Sequence, residues 1–222
     1  MYGTQDIIEI FQWKLRRQDF VIDKSGVKTV EINAAQFEAD APRLFGEPNH
    51  DWHRRELAWY LSKSLNVNDI EEPIPVIWKQ VADKKGFINS NYGWCVFSEE
   101  NGNQYMHVLN ELKTNPDSRR AQMIYTRPGM WNDYNKNGRS DFMCTSNTQH
   151  VVRKGKLLTM VYMRSNDAVM GYKGDYAWFN YVHQRLAEDL QVEPGTIIWH
   201  AGSLHVYERH FYLVDPVIYP KP

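Results

Sequence analysis

The chain has 222 residues, with 26 Lys and Arg against 27 Asp and Glu and a formal net charge of -1. This balance lacks the basic excess typical of proteins that bind duplex nucleic acid. Hydrophobic residues make up 42% of the chain and aromatic residues 14%, which is enough apolar surface for a sizeable core and excludes an intrinsically disordered chain. No apolar run approaches the roughly 20 residues of a membrane-spanning helix. We therefore expect a single cytoplasmic domain over residues 1–222.

The first half of the chain predicts two amphipathic helices and a strand. Residues 4–19 place apolar side chains at helical spacing behind Thr4, a candidate N-cap. Residues 27–32 alternate as a strand. Residues 51–65 carry one aromatic and one aliphatic stripe, so this helix is expected to be buried on most sides, with Glu56 on the aromatic stripe.

The second half predicts strands around one strong helix at residues 175–190, whose apolar residues recur at helical spacing. Strands without regular βαβ alternation favour an α+β fold with a large sheet packed on helices. His205 and Tyr207 alternate on the last strand, and period two would point both side chains to the same face. The predicted strands are 121–127, 142–152, 157–165, 196–199 and 204–214.

The cysteines and one acidic loop bear on metal binding. Cys95 and Cys144 are too few for a disulfide framework or a four-thiolate zinc site, so free thiols are expected. Residues 133–138 match the opening of an EF-hand calcium loop. However, Cys144 stands where the loop needs its bidentate Glu, so a polar turn is the better interpretation and no metal site is predicted.

Cys144 and Glu56 each allow two interpretations. A thiol with an ordinary pKa of about 8.5 needs nearby cations to be a nucleophile at neutral pH, so Cys144 is either an inert core residue or an activated one. Glu56 is either paired with a cation such as Arg55 or held for proton chemistry. Cations that could serve the thiol, each singly more typical of a surface charge, are Lys24, Arg119, Arg120 and Arg164.

Ordered motifs run through the chain from about residue 20 to residue 214. They are DKSGVKT from residue 23, RELAWY from 55, INSNYGW from 88, NPDSRR from 115, DFMC from 141, MRSND from 163, GDYAW from 174 and GSLHVY from 202. With this set, the chain resembles the thymidylate synthase superfamily, and within it most closely the phage deoxycytidylate hydroxymethylases.

The resemblance implies a fold, an assembly and a reaction. The fold is α+β, with a large mixed sheet whose face forms a homodimer, and Arg119 and Arg120 are donated across the interface. Cys144 adds to C6 of a pyrimidine nucleotide, so that C5 can attack the methylene group of the co-substrate 5,10-methylenetetrahydrofolate. A thiolate suits this step because it adds reversibly to a conjugated ring. No metal, membrane or direct DNA binding is implied.

The remaining site residues follow from matching motif positions. Catalytic groups implied beside Cys144 are Glu56, Tyr92 and Asp175. Substrate contacts implied are Lys24, Arg119, Arg120, Arg164, Ser165, Asn166, His205 and Tyr207. Folate contacts implied are Trp78, Asp167 and Gly171.

Two departures from the thymidylate synthases bear on substrate and product. Asp175 stands where the synthases carry an asparagine that faces the base. A carboxylate can accept from the cytosine amino group and share a proton with N3, but it would meet uracil O4 as an unpaired acceptor. The residues 143–145, Met-Cys-Thr, replace Pro-Cys-His, which suggests different control of water and a hydroxymethyl product.

The sequence therefore predicts a folate-dependent one-carbon transferase acting on deoxycytidylate, in the cytoplasm of a virus-infected bacterium. A ribonucleotide substrate and, as the weakest option, a calcium-binding module stay open, besides two main alternatives. One is the same chemistry on deoxyuridylate, as a hydroxymethylase or a thymidylate synthase. The other is a non-catalytic relative that binds a nucleotide or RNA, since a fold does not guarantee turnover.

Overall fold

The computed structural model describes residues 1–23 and 26–221. Lys24, a predicted substrate contact, lies outside the described residues. Two compact units make up the chain, Met1–Pro48 with Gly155–Pro222 and Asn49–Lys154. In the described part of the chain, no helix is both long and apolar enough to cross a membrane.

Helices and strands alternate irregularly along the chain. The helices are α1 (Thr4–Arg16), α2 (His50–Ser62), α3 (Val76–Val81), α4 (Tyr92–Phe97), α5 (Gln104–Thr114), α6 (Met130–Asp133), α7 (Gly171–Leu190) and α8 (Phe211–Val214). The strands are β1 (Val21–Ile22), β2 (Lys28–Glu38), β3 (Gln122–Ile124), β4 (Thr145–Arg153), β5 (Lys156–Asp167) and β6 (Glu193–Tyr207). Single-turn 3-10 helices cover Val67–Asp69, Glu99–Asn101, Lys136–Gly138 and Glu208–His210.

The first unit is built on a mixed sheet in which the strand order is β1-β2-β6-β5. β2 pairs antiparallel with β1 and with β6, whereas β5 and β6 run parallel. A parallel pair needs a crossover connection, and α7 provides it while packing on both strands. α1 packs on β2. A mixed sheet covered by a few helices confirms the predicted α+β class.

The N-terminal helix follows its predicted apolar spacing but differs at both ends. Gly3 is the N-cap, and Thr4 already lies in the first turn, so the predicted cap is wrong by one residue. The Thr4 hydroxyl instead donates to Asp40 Oδ1 at 2.5 Å, which ties the helix to the chain after β2. The helix ends at Arg16, before residue 19, because Gln18 adopts a left-handed φ of 55°.

The long helix α7 begins at Gly171, before the predicted residue 175, and ends at Leu190 as predicted. Gln191 follows with a left-handed φ of 57°, a common way to end a helix. The buried face of α7 packs on the sheet, where the Phe179 ring meets the Trp199 ring edge-on with centroids 5.5 Å apart.

The second unit packs α2 on α4 and α4 on α5, beside the antiparallel pair of β3 and β4. Gly93 marks the closest approach, because a Cβ there would lie 1.8 Å from the Tyr60 carbonyl oxygen. The expectation that α2 is buried on most sides is wrong, since only one face is covered and Leu61 is 38% exposed. The helix ends at Ser62 because Lys63 is left-handed. Its buried residues are Arg55, Glu56, Trp59 and Tyr60.

Two strand predictions need correction. β6 runs unbroken through residues 196–207, but residues 208–214 are helical instead of extended. The buried residues of α8, Phe211 and Val214, lie three apart, which is a helical spacing and not an alternating one. β3 covers only Gln122–Ile124, because the next two backbone N–H groups share one carbonyl of β4 and leave the regular ladder.

Candidate active site

Cys144 stands at the end of a loop, one residue before β4 begins. Its side chain is partly exposed, and its Sγ lies 3.9 Å from the Phe142 carbonyl oxygen. Cys95 differs, because burial raises the pKa of its thiol to about 12. Neither cysteine forms a disulfide bond, as predicted. Of the two, Cys144 is the one that a substrate can reach.

The loop before Cys144 is held by Asp141, a buried carboxylate. One of its oxygens accepts from the Asn89 backbone N–H at 2.6 Å, and the other accepts from the Ser90 hydroxyl at 2.7 Å. Burial nevertheless keeps the pKa of this carboxyl raised. The Asn89 side-chain oxygen accepts from Arg127 at 2.7 Å. A buried polar network thus fixes the chain that leads to the thiol.

Tyr92 opens α4 and meets the residue after Cys144. Thr145 Oγ1 donates to the Tyr92 hydroxyl at 2.9 Å, and both side chains are buried. The Tyr92 ring stacks on Tyr60 with centroids 5.2 Å apart and meets Tyr125 edge-on at 5.3 Å. The structure therefore brings predicted Tyr92 to the strand end that carries the predicted nucleophile.

Glu56 and Trp78 also come together. Trp78 Nε1 donates to Glu56 Oε1 at 3.3 Å, and the Trp78 ring packs edge-on against Trp59 with centroids 5.1 Å apart. Arg55, suggested by the sequence as a partner for Glu56, forms an ion pair with Asp51 at 2.9 Å. It also donates to two carbonyl groups of the loop that leads to α3. Ring contacts from Trp59 through Tyr60 to Tyr92 link the Glu56 pair to the Cys144 end of the unit.

Arg119 and Arg120 lie on the exposed turn between α5 and β3. The Arg120 guanidinium pairs with Glu111 at 2.9 Å. The Arg119 carbonyl accepts from Gln149 Nε2 at 2.7 Å, which fastens the turn to β4. The predicted donation of both arginines to a partner subunit stays a prediction.

In the first unit, Asn166 and Asp175 join the end of β5 to the start of α7. Asn166 Nδ2 donates to Asp175 Oδ2 at 2.8 Å, and Asn166 is 3% exposed. Gly171 makes room for this pair, since a Cβ there would lie 3.2 Å from Asn166 Nδ2 and 3.6 Å from Asp175 Oδ2. Three predicted site residues therefore form one contact group.

His205 and Tyr207 lie on β6 with ring centroids 5.0 Å apart, which confirms their predicted shared face. Ser203 donates its hydroxyl to Glu31, and its oxygen lies 3.4 Å from His205 Nδ1. Because the Ser203 proton goes to Glu31, the serine oxygen accepts from Nδ1–H. This contact favours a proton on Nδ1, which leaves Nε2 as the acceptor nitrogen when the imidazole is neutral.

Arg164, Ser165 and Asp167 occupy the end of β5, where Asp167 pairs in register with His205 of β6. Asp167 Oδ1 accepts from two backbone N–H groups of the turn into α7, at 2.8 and 3.0 Å. It therefore holds the turn that positions Gly171. Arg164 is exposed and Ser165 is half-buried.

The structure adds Thr145, Ser203 and Glu31 to the residues predicted from sequence. Ser203 had a signal, because it stands two residues before His205 on a strand and period two places both on one face. Thr145 stood out only as part of Met-Cys-Thr at residues 143–145, and Glu31 had no signal. The contacts of both were hidden because their partners lie far away in sequence. Across residues 1–23 and 26–221, no group of three or more His, Cys, Asp or Glu side chains is arranged to hold a metal ion.

Comparison with known proteins shows which family the chain belongs to. Deoxycytidylate 5-hydroxymethyltransferases of Enterobacteria phages T4, T2 and T6 are each 56% identical to the chain over 208 residues, covering 90% of the chain and 85% of the relative. The family model for thymidylate synthase matches residues 15–222. The chain that carries Cys144, Tyr92 and Asp175 therefore belongs to the thymidylate synthase family.

Proposed function

We propose that this protein is a deoxycytidylate 5-hydroxymethyltransferase, which converts dCMP, 5,10-methylenetetrahydrofolate and water to 5-hydroxymethyl-dCMP and tetrahydrofolate. Support comes from the 56% identity to phage enzymes of that name. The observation that carries the choice of base is the hydrogen bond from Asn166 to Asp175. The proposal takes residues 1–222 as one domain, acting in the cytoplasm of a virus-infected bacterium. The single family match over residues 15–222 supports the domain assignment.

Cys144 is the proposed nucleophile. Its thiolate adds to C6 of cytosine, and the displaced electron pair makes C5 able to attack the methylene carbon of the folate. Partial exposure makes the thiol accessible, and Asp141 anchors the loop that carries it. A fixed loop lowers the cost of aligning the thiolate with the ring. Cys95 does not compete, because its thiol is buried with a pKa of about 12.

Asp175 is the residue that we propose recognises the base. Asn166 holds Oδ2, so the carboxylate has one defined orientation. In that orientation it accepts from the 4-amino group of cytosine, and a proton shared with N3 completes the pairing. Uracil carries a carbonyl at this position, so a carboxylate there would meet another acceptor. An unmet buried polar group typically costs about 1–3 kcal/mol, which favours cytosine.

Glu56 is the proposed general base for the attacking water. Loss of the C5 proton and of tetrahydrofolate leaves a methylene group on the base. Water adds to this methylene, the electron pair re-forms the C5=C6 bond, and the Cys144 thiolate leaves C6, which gives the hydroxymethyl product. Trp78 Nε1 fixes the Glu56 carboxylate, which can then take the proton of the attacking water. Trp78, Asp167 and Gly171 are the proposed folate contacts, with Asp167 acting through the turn that it holds.

The sugar and phosphate contacts divide between the ends of β5 and β6. With the Nδ1 proton facing Ser203, His205 Nε2 can accept a hydrogen bond from the deoxyribose 3′-hydroxyl, beside Tyr207. Arg164, Ser165 and Lys24 are the proposed phosphate contacts from the same subunit. Guanidinium groups bind phosphate through paired charge-assisted hydrogen bonds.

A homodimer would complete the phosphate site. We propose that Arg119 and Arg120 reach the phosphate bound by the other subunit. Their exposure on the turn before β3 supports this, because neither guanidinium is committed to a core. Arg120 would exchange its exposed, weakly stabilising ion pair with Glu111 for contact with the phosphate dianion.

Mechanism-based trapping tests the proposal. With 5-fluoro-dCMP and methylenetetrahydrofolate, the step that removes the C5 substituent is blocked, so the covalent adduct accumulates on the enzyme. We expect a stoichiometric adduct on the peptide that contains Cys144. It should be absent in Cys144→Ser and retained in the matched control Cys95→Ser. An adduct with 5-fluoro-dUMP but not with 5-fluoro-dCMP would support the deoxyuridylate alternative, and nucleotide binding with no adduct from either would support a non-catalytic relative.

A further inference from the structure

The hydrogen bond between Thr145 and Tyr92 lies outside the roles assigned so far. Thr145 is fully buried and Tyr92 is 5% exposed, and their hydroxyl oxygens are 2.9 Å apart. Thr145 is the donor, so the Tyr92 oxygen acts as the acceptor in this pair. At this oxygen–oxygen distance, the two buried hydroxyl groups form an ordinary hydrogen bond in surroundings that contain little water.

The surrounding rings leave Tyr92 little freedom. Tyr60 stacks on one face at 5.2 Å, and Tyr125 meets the ring edge-on at 5.3 Å. The Asn91 side chain caps α4 at the Trp94 backbone N–H, 2.7 Å away, which fixes the backbone of Tyr92. With the ring fixed, the remaining freedom is the rotation of the phenol proton about its C–O bond. Thr145 removes that freedom, because a donor placed on one side of the phenol oxygen directs the phenol's own proton elsewhere.

Thr145 also follows Cys144 directly, and it begins β4. One hydrogen bond therefore connects the strand end that carries the thiol to the tyrosine that opens α4. Any shift of the strand end would change the position of Cys144 and the geometry of the Tyr92 hydroxyl together. This coupling is useful where one group adds to C6 and the other handles the proton at the neighbouring C5.

We propose that Thr145 is a positioning residue, which orients the Tyr92 hydroxyl for removal of the C5 proton from the Cys144 adduct. The inference rests on the proposed function, because it needs that adduct. In the step concerned, the C5–H bond breaks and its electron pair forms the exocyclic double bond as the bond to the folate nitrogen breaks. The proton leaves through water held at the Tyr92 hydroxyl. Thr145 does not touch the substrate in this scheme.

A mutant cycle on the intact enzyme tests the proposal. Thr145→Val removes the hydroxyl and keeps the shape, whereas Thr145→Ser keeps the hydroxyl and removes one methyl group. We expect Thr145→Val to lower kcat and the rate of C5-tritium release about tenfold, which corresponds to about 1.4 kcal/mol of activation free energy. The KM for dCMP should not change. Thr145→Ser should stay within about threefold of the wild type. In a Tyr92→Phe background, Thr145→Val should cause no further loss, because the group that it orients is gone.

The outcomes separate this inference from the proposed function. Equal losses from Thr145→Val with and without the Tyr92 hydroxyl would overturn it, and so would a Thr145→Ser enzyme as slow as Thr145→Val. A wild-type enzyme that releases no label from dCMP would overturn both the proposed function and this role. Thermal unfolding of each variant identifies losses caused by misfolding. If the melting temperature of Thr145→Val is more than about 5 °C below that of the wild type, Thr145→Ala is used in its place. The mutant cycle and the outcomes that decide it stay the same.

Discussion

The side-chain amide of Asn166 donates to Asp175 Oδ2 across 2.8 Å, and this hydrogen bond joins the end of β5 to the beginning of α7. The strand and the helix thus present one acidic group whose orientation is set by a neutral donor. An amide donor fixes a carboxylate without adding a charge. This arrangement is the physical basis that we propose for preferring cytosine over uracil.

Asp175→Asn should shift the base preference from dCMP towards dUMP. The amide can donate to uracil O4, but it loses the charge-assisted acceptance from the cytosine amino group. We expect kcat/KM for dCMP to fall about 10-fold to 100-fold and kcat/KM for dUMP to rise, as steady-state assays would measure. Asp189→Asn, on the same helix, serves as a control and should change neither. Unchanged dCMP turnover in Asp175→Asn would contradict the role given to this carboxylate.

Gly171→Ala should impair substrate handling without unfolding the protein. The new Cβ would lie 3.2 Å from Asn166 Nδ2, so the amide must move by a few tenths of an ångström and its bond to Asp175 weakens. We expect kcat/KM for dCMP to fall several-fold, with a melting temperature within about 3 °C of the wild type. Gly129→Ala is a matched control, because a Cβ there has open space. Equal activity of the two variants would show that this packing does not affect the site.

Ser203→Ala should weaken recognition of the 3′-hydroxyl. Without the serine oxygen, nothing from Glu31 fixes the Nδ1–H tautomer of His205, and Nε2 is less often the acceptor. We expect the Kd for dCMP to rise about tenfold, measured by calorimetry. The Kd for 2′,3′-dideoxy-CMP, which has no 3′-hydroxyl, should be the same for variant and wild type. A similar loss for both nucleotides would point to general damage at the site.

Acid should destabilise the protein partly through α1. The Arg16 guanidinium holds the pKa of Asp215 below its usual range, and the Thr4 hydroxyl does the same for Asp40. A lowered folded-state pKa contributes stability that is present above the unfolded value of about 3.9 and is lost as the pH falls through the folded value. Urea unfolding at pH 7 and pH 3 should therefore show a smaller acid-induced loss in Asp215→Asn than in the wild type.

The matched control for this pH effect is Asp117→Asn, which changes an exposed carboxylate on a surface turn. It should unfold like the wild type at both pH values. If Asp215→Asn loses as much stability between pH 7 and pH 3 as the wild type does, the Arg16 pair makes no contribution to acid sensitivity.

The sequence predicted the fold class, and its motifs named residues that the structure brings into contact, such as Asn166 with Asp175 and Glu56 with Trp78. Period two placed His205 and Tyr207 on one face, as observed. The misses have physical causes. The local pattern predicts Thr4 as a cap because it does not reveal Asp40, the partner of Thr4 after β2. It predicts residues 208–214 as extended because apolar composition alone does not separate a short helix from a strand.

Contacts between distant residues explain the remaining misses. The bond between Thr145 and Tyr92 spans 53 positions, and the bond between Ser203 and Glu31 spans 172. No local spacing rule reaches that far. Such contacts become visible only when strands and helices are placed together, and they supply the orientation of groups that the motifs identify.

Release of tritium from C5 of labelled dCMP and dUMP, with methylenetetrahydrofolate and mass analysis of the product, tests the central claim most directly. We predict release from dCMP with a mass gain of about 30 daltons, one CH2O unit, abolished in Cys144→Ala and retained in Cys95→Ala. Release from dUMP alone, or a gain of about 14 daltons from hydride transfer, would contradict the account of Asp175 and of water addition.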